Sequence, residues 1–95
     1  MGLYPSRADL NFIENYDVSK MGTRALARFV ASIWHWDDYV IIGKRTRFEL
    51  HTGGWSGNED IIHSLQKNLW WGVCFRKEVI GGHYYFRLIK IKGVD

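Results

Sequence analysis

Residues 50–63 read Leu50-His51-Thr52-Gly53-Gly54-Trp55-Ser56-Gly57-Asn58-Glu59-Asp60-Ile61-Ile62-His63. The residues before this stretch alternate between apolar and polar, as in a strand, and those after it have apolar residues at helical spacing. The stretch is therefore predicted to join a strand to a helix. Its three glycines let the backbone approach a ligand closely, and its polar side chains outnumber those that a plain connection needs. We expect a binding site in this glycine-rich loop.

The start of the helix after the loop is predicted from a capping box. Ser56 lies three residues before Glu59, so that each side chain can meet the amide of the other residue. A helix is expected over about residues 57–68. Its apolar stripe consists of Ile61, Ile62, Leu65 and Leu69. Trp55 precedes the cap without an apolar partner at Asp60, so it is expected either in the core or as a lid over the site.

The segments before the loop predict two strands, Tyr39–Ile42 and Arg45–His51, about a turn at Gly43-Lys44. In the second strand, residues of a buried face alternate with polar ones: Phe48 and Leu50 against Arg47, Glu49 and His51. The polar face is expected to carry charge and imidazole.

The N-terminal third is predicted to be helical. Ser6 and Asp9 are typical of a cap at the start of a short helix, although the segment could equally be extended. A longer helix is expected from Ser19 to about Trp36 and to pack on a sheet. Its buried stripe comprises Leu26, Phe29, Val30, Ile33 and Trp34.

The last third predicts a β-hairpin. Residues 70–79 and 83–92 flank Gly81-Gly82, which suits a tight two-residue turn. In that register Arg76 faces Arg87, and directly opposed like charges suggest either an anionic contact or splayed, solvated side chains. We therefore expect an outer sheet surface that could bind a partner or nucleic acid. It comprises Arg47, Arg76, Tyr85 and Arg87.

Together these segments predict an α+β domain over residues 1–95, with a four-stranded, largely antiparallel sheet and two to three helices packed mainly on one face. Its 95 residues suit a single domain, and the 46% hydrophobic and 16% aromatic content supplies an adequate core.

Composition excludes several classes of protein. Cys74 is the only cysteine, so an internal disulfide and a cysteine-based zinc cluster are both excluded. No apolar run reaches about 18 residues, and residues 1–5 lack the pattern of a signal peptide, so we expect a cytoplasmic protein that does not enter membranes. The net charge of +3 is uneven, with −1 in residues 1–38 and +4 in residues 39–95. Nucleic acid is thus permitted as a partner.

Catalytic and metal patterns are weak. The four histidines lack metal-ligand spacing, so neither a metal nor another cofactor is expected. No nucleophile elbow surrounds Ser56. The one enzymatic alternative pairs Glu59 with His51 as acid and base.

The candidate ligand site comprises His51, Thr52, Gly53, Gly54, Trp55, Ser56, Asn58, Glu59 and His83. No lysine or arginine lies between Thr52 and Gln66, and two carboxylates begin the helix, so this site suits hydroxyl, amide, base-edge or cationic groups rather than phosphate. A phosphate would be bound elsewhere, by Lys44, Arg45, Arg47, Arg76 or Arg87.

The loop Leu50–Glu59, the Trp70-Trp71 pair and Gly81-Gly82-His83-Tyr84-Tyr85-Phe86 resemble a group of small hypothetical proteins of tailed bacteriophages, over about residues 33–88. The resemblance implies a non-enzymatic accessory protein that acts by binding in the cytoplasm of an infected bacterial host. We expect an anti-defence protein that inhibits a host protein or sequesters a small polar, nucleotide-like ligand through the glycine-rich loop. The alternatives are a basic nucleic-acid-binding module and the small enzyme described above.

Overall fold

The structure is a computed structural model that describes residues 4–94, and it contains five α-helices and four β-strands within that range. The helices are α1 (Arg7–Asn15), α2 (Val18–Met21), α3 (Arg24–Ile33), α4 (Ser56–Gln66) and α5 (Leu69–Cys74), and a 3₁₀ turn spans Asp37–Tyr39. The strands are β1 (Val40–Ile42), β2 (Arg47–His51), β3 (Phe75–Val79) and β4 (His83–Arg87). Residues 1–3 and Asp95 lie outside the described residues. The expectation that residues 1–5 lack the pattern of a signal peptide therefore falls partly outside the described residues.

The four strands form one sheet in the order β1-β2-β4-β3, and each neighbouring pair is antiparallel. The predicted α+β class and four-stranded antiparallel sheet are therefore confirmed. The central strands β2 and β4 pair Phe48 with Phe86 and Leu50 with Tyr84. These apolar pairs form the inner face of the sheet.

The inner face and the helices share one hydrophobic core. Phe48 and Leu50 are fully buried and join Leu26 of α3 and Ile61 of α4 in a single cluster. Trp70 of α5 fills its centre, with its ring centroid 5.1 Å from that of Phe86. Its indole N–H donates to the Thr23 carbonyl at 3.0 Å, so the polar edge of this buried ring is also satisfied. No helix in residues 4–94 is long and apolar enough to cross a membrane.

The two predicted capping boxes have different outcomes. The box at Ser6 and Asp9 is confirmed at the start of α1, with both reciprocal hydrogen bonds present. The box at Ser56 is wrong, because Trp55 is the residue that adopts the extended cap conformation and Ser56 already lies in the helix. The Ser56 hydroxyl forms a hydrogen bond with the Tyr4 hydroxyl at 2.8 Å instead.

The predicted continuous helix from Ser19 to Trp36 is divided in two. Gly22 ends α2 in a left-handed conformation (φ 81°), and α3 begins two residues later. The hydroxyl of buried Thr23 donates to the Ile89 carbonyl at 2.8 Å, which ties this break to the end of the chain. The helix also ends earlier than predicted, at Ile33.

The predicted hairpin register is wrong at both of its ends. Trp70–Cys74 is helical, because the Asn68 side chain caps α5 by accepting from the Trp70 amide at 2.7 Å. The turn contains three residues, so that Val79 pairs with His83. An irregularity between Phe75 and Lys77 then leaves Arg76 out of register, and Arg87 faces Arg47 of β2 rather than Arg76.

Candidate binding site on the outer face of the sheet

The outer face of the sheet is formed by the residues of β2 and β4 that alternate with the buried ones. Three pairs lie directly opposite each other across these strands: Arg47 with Arg87, Glu49 with Tyr85, and His51 with His83. Local alternation places each member on this face, and the antiparallel register brings the members of each pair together.

Glu49 is the most buried of these polar residues, with only 9% of its surface exposed. Its Oε2 accepts from Nε of Arg47 at 2.5 Å, and its Oε1 lies 3.3 Å from Nε2 of His51. The hydrogen bond from Arg47 is the main cause of a lowered pKa of Glu49; burial opposes the lowering, and His51 adds to it. Glu49 is therefore a carboxylate at neutral pH.

The two histidines extend this hydrogen-bonded chain. Nδ1 of His51 lies 2.8 Å from Nδ1 of His83, and the ring of Tyr85 meets that of His51 edge-on with 5.8 Å between centroids. A carboxylate, two imidazoles and a phenol are thus packed side by side, with an arginine at one end of the chain.

Two open clefts lie along the outer face, and Tyr85 lines both of them. The histidine cleft has a volume of about 460 Å³ and is lined by Asp38, Tyr39, Ile41, His51, His83 and Tyr85. The arginine cleft has a volume of about 390 Å³, and its lining includes Thr46, Arg47, Glu49, Arg76, Tyr85 and Arg87. The histidine cleft therefore offers rings and the Asp38 carboxylate, and the arginine cleft offers three guanidinium groups beside the Glu49 carboxylate.

The polar side chains of the glycine-rich loop have mainly structural contacts. Asn58 is fully buried, its Oδ1 accepts from the His35 amide at 2.9 Å, and its Nδ2 donates to the carbonyls of His35 and Thr52 at 3.1 and 3.3 Å. Thr52 is also buried, and its hydroxyl accepts from the Gly54 amide at 3.3 Å. Both side chains hold the loop in place and face the interior.

Gly53 connects the loop to the histidine cleft. It has a left-handed conformation (φ 63°), and a Cβ there would lie 2.6 Å from the Tyr39 ring and 2.7 Å from the Trp36 ring. Because no side chain intervenes, both rings pack directly on the loop backbone. The loop therefore supports Tyr39, which lines the histidine cleft.

Trp55 lies in a separate aromatic cluster. Its ring stacks on Tyr4 and on His35, with centroid distances of 4.9 and 4.2 Å, and it is half-buried. Trp55 is therefore not a core residue, and its ring packs over Gly57 at the start of α4. Ser56 is exposed beside Tyr4, and Glu59 is exposed on α4.

Of the nine predicted ligand residues, the structure brings His51 and His83 together on the outer face, with Tyr85 from the predicted partner surface. The carboxylate bonded to His51 is Glu49 and not the predicted Glu59, which is exposed on α4. The alternation around Glu49 in the sequence could have indicated its role. Asp38 and Tyr39 carried no such signal, because a 3₁₀ turn places them.

Within residues 4–94 no group of three or more histidine, cysteine, aspartate or glutamate side chains is arranged to hold a metal ion. Comparison with protein-family models, with curated proteins and with solved structures finds no match to this chain.

Proposed function

We propose that the protein is a non-enzymatic protein that binds single-stranded nucleic acid on the outer face of its sheet. The observation that supports this most directly is the Arg47–Arg87 pair. Like charges directly opposite each other destabilise a strand pair, and Glu49 bonds to only one of these two arginines. Arg76 adds a third guanidinium group to the same cleft. A bound phosphate would relieve this repulsion, and arginine forks match phosphate oxygens well.

The other half of the outer face carries aromatic side chains that can contact the bases of a bound strand. The pair of His51 and His83 lies four residues along the strands from the arginine pair, a distance of about 13 Å. Tyr85 lies between the histidine pair and the arginine pair. Imidazole and phenol rings are surfaces on which unpaired bases stack. Asp38 in the histidine cleft repels phosphate, so we expect phosphates over the arginines and bases over the rings.

The open shape of both clefts favours a strand over a small ligand. Sites for small molecules enclose most of the ligand surface, whereas these two clefts are open to solvent and share Tyr85 in their linings. The buried Thr52 and Asn58 also leave the glycine-rich loop with few free polar groups for sequestering a small ligand. The resemblance to phage proteins supports an anti-defence role in the cytoplasm of the infected host, in which bound nucleic acid is withheld from host enzymes.

Fluorescence anisotropy with labelled single-stranded and duplex oligonucleotides tests this function. We expect binding to the single strands that weakens with salt, with a slope of log K against log salt of about −2 if three arginines each contact a phosphate. Arg87→Gln should weaken binding and reduce the slope by about 0.7. Arg28→Gln, on the exposed surface of α3, is the matched control and should change neither. Absence of binding at low salt, or unchanged binding by Arg87→Gln, would overturn the proposal.

A further inference from the structure

The hydrogen-bonded chain on the outer face determines which nitrogen of His83 carries a proton. Ionised Glu49 can only accept, so Nε2 of His51 must carry the proton that points toward it. In a neutral His51, Nδ1 is then an acceptor, and the 2.8 Å contact requires Nδ1 of His83 to be the donor. Nε2 of neutral His83 is therefore left with a lone pair.

The surroundings of His83 leave that lone pair open. A Cβ on Gly81 would lie 3.1 Å from Nε2 of His83, so a side chain at residue 81 would crowd this nitrogen, and glycine leaves it uncovered. His83 also lines the histidine cleft. The result is a hydrogen-bond acceptor held in one direction by a chain that begins at the buried Glu49.

The other polar groups of the histidine cleft can also accept hydrogen bonds from a ligand. Asp38 contributes carboxylate oxygens, which accept, and no lysine or arginine occurs among the described residues that line this cleft. The hydroxyls of Tyr39 and Tyr85 can donate or accept as the ligand requires. The cleft thus favours a ligand edge that carries several N–H donors and a flat surface for ring contacts.

We propose that the histidine cleft is a base-reading subsite that selects guanine, with Nε2 of His83 and the carboxylate of Asp38 accepting from its N–H groups. This inference rests on the proposed function, in which a single strand lies along the outer face. Guanine presents a ring N–H and an exocyclic amino group next to each other, whereas uracil has a single N–H donor and adenine and cytosine place an acceptor beside their amino group. A bound guanine would stack against Tyr85 or His51 while its donors meet the two acceptors.

Nitrogen-15 NMR of the free protein tests, without any ligand, which nitrogens of His51 and His83 carry protons. The expected pattern is a proton on Nε2 of His51 and on Nδ1 of His83, the latter being the less favoured form of free histidine. A proton on Nε2 of His83 in the neutral protein would overturn the inference. Exposed His63 on α4 provides the internal reference for an unconstrained imidazole.

Binding of three matched oligonucleotides tests whether the histidine cleft selects guanine. Each is a uridine oligomer with one central position occupied by guanosine, inosine or uridine, and inosine lacks only the exocyclic amino group. We expect guanosine to bind roughly fivefold to tenfold more tightly than uridine, with inosine in between, as one or two hydrogen bonds allow.

Two variants test whether the guanosine preference depends on the histidine cleft. His83→Phe keeps a ring and removes the acceptor, and Asp38→Asn removes the exposed carboxylate with little risk to folding. Each should reduce the guanosine preference at least twofold, while Asp37→Asn, beside it but outside the lining of this cleft, should preserve it. Salt-dependent binding without any guanosine preference would overturn this inference alone. Failure of all three oligonucleotides to bind would overturn the proposed function and this inference together.

Discussion

Arg47 and Arg87 face each other across β2 and β4, and Arg47 donates to Glu49 from this position. Two like charges in register cost a strand pair stability, so this pair is the point at which stability and binding are expected to oppose each other.

Replacing Arg87 by Gln should stabilise the protein while weakening its binding to nucleic acid. Removing the like-charge contact is expected to raise the free energy of unfolding by about 0.2–1 kcal/mol, with the gain shrinking as salt screens the charges. Urea denaturation at low and high salt measures the first effect, and anisotropy measures the second. A variant that loses both stability and binding would show that Arg87 has a structural role instead.

Glu49 should make the stability of the protein depend on pH in the acid range. Its pKa is lowered in the folded state, chiefly by the hydrogen bond from Arg47, so its contribution is complete above the unfolded value of about 4.3 and is lost as pH falls through the folded value. Wild type and Glu49→Gln should therefore differ in urea midpoint at pH 7 and converge as pH falls below about 4. Asp60→Asn, at an exposed site beyond the first turn of α4, is the control and should follow wild type. Parallel curves for wild type and Glu49→Gln would contradict this prediction.

Asn58 should be among the most sensitive residues of the chain. Asn58→Ala removes three hydrogen bonds and leaves the amide and the carbonyl of His35 and the carbonyl of Thr52 without their side-chain partner. Each buried polar group left unsatisfied costs about 1–3 kcal/mol, so we expect a loss of about 3 kcal/mol or more in urea denaturation. Asn11→Ala, on the exposed side of α1, should cost less than about 0.5 kcal/mol. A loss below 1 kcal/mol at Asn58 would mean that the loop is not held by this side chain.

Two helical glycines should respond in opposite ways to alanine. A Cβ on Gly72 of α5 meets nothing within 4 Å, so Gly72→Ala should stabilise the helix by about 0.5–1 kcal/mol. A Cβ on Gly57 of α4 would lie 2.2 Å from the Trp55 ring, so Gly57→Ala must displace that ring from Tyr4 and His35. We expect a cost of about 1–3 kcal/mol, together with a change in tryptophan fluorescence. Unchanged fluorescence in Gly57→Ala would contradict the predicted displacement of the Trp55 ring.

The β2 side chains of the outer face were predictable because strand alternation is a local property. Arg47, Glu49 and His51 follow one another at every second position, so any strand that buries Phe48 and Leu50 must expose them together. The pairing of β4 with β2 was not predictable in the same way. A three-residue turn and an irregular position at Arg76 shift the hairpin, and that shift depends on the helical form of the residues before β3.

The predicted ligand loop shows the other limit of sequence reasoning. Its glycines and polar residues do form the strand-to-helix joint, but the sequence does not tell which polar groups are already bonded inside the protein. Asn58 is paired with the main chain of His35, 23 residues away, and Ser56 with the hydroxyl of Tyr4, 52 residues away. Such partners depend on the packing of distant segments.

The sequence by itself determined the α+β class, the burial of Phe48 and Leu50, and the polar character of the opposite strand face, and it indicated the cap of the first helix. These features follow from periodicity and from capping over a few residues, where physical constraints act within one element. Only the tertiary structure decided that Glu49, His51 and His83 form one hydrogen-bonded chain and that Arg47 faces Arg87. Those relationships require two strands brought together in one register, which the burial of the whole inner face against the helices selects.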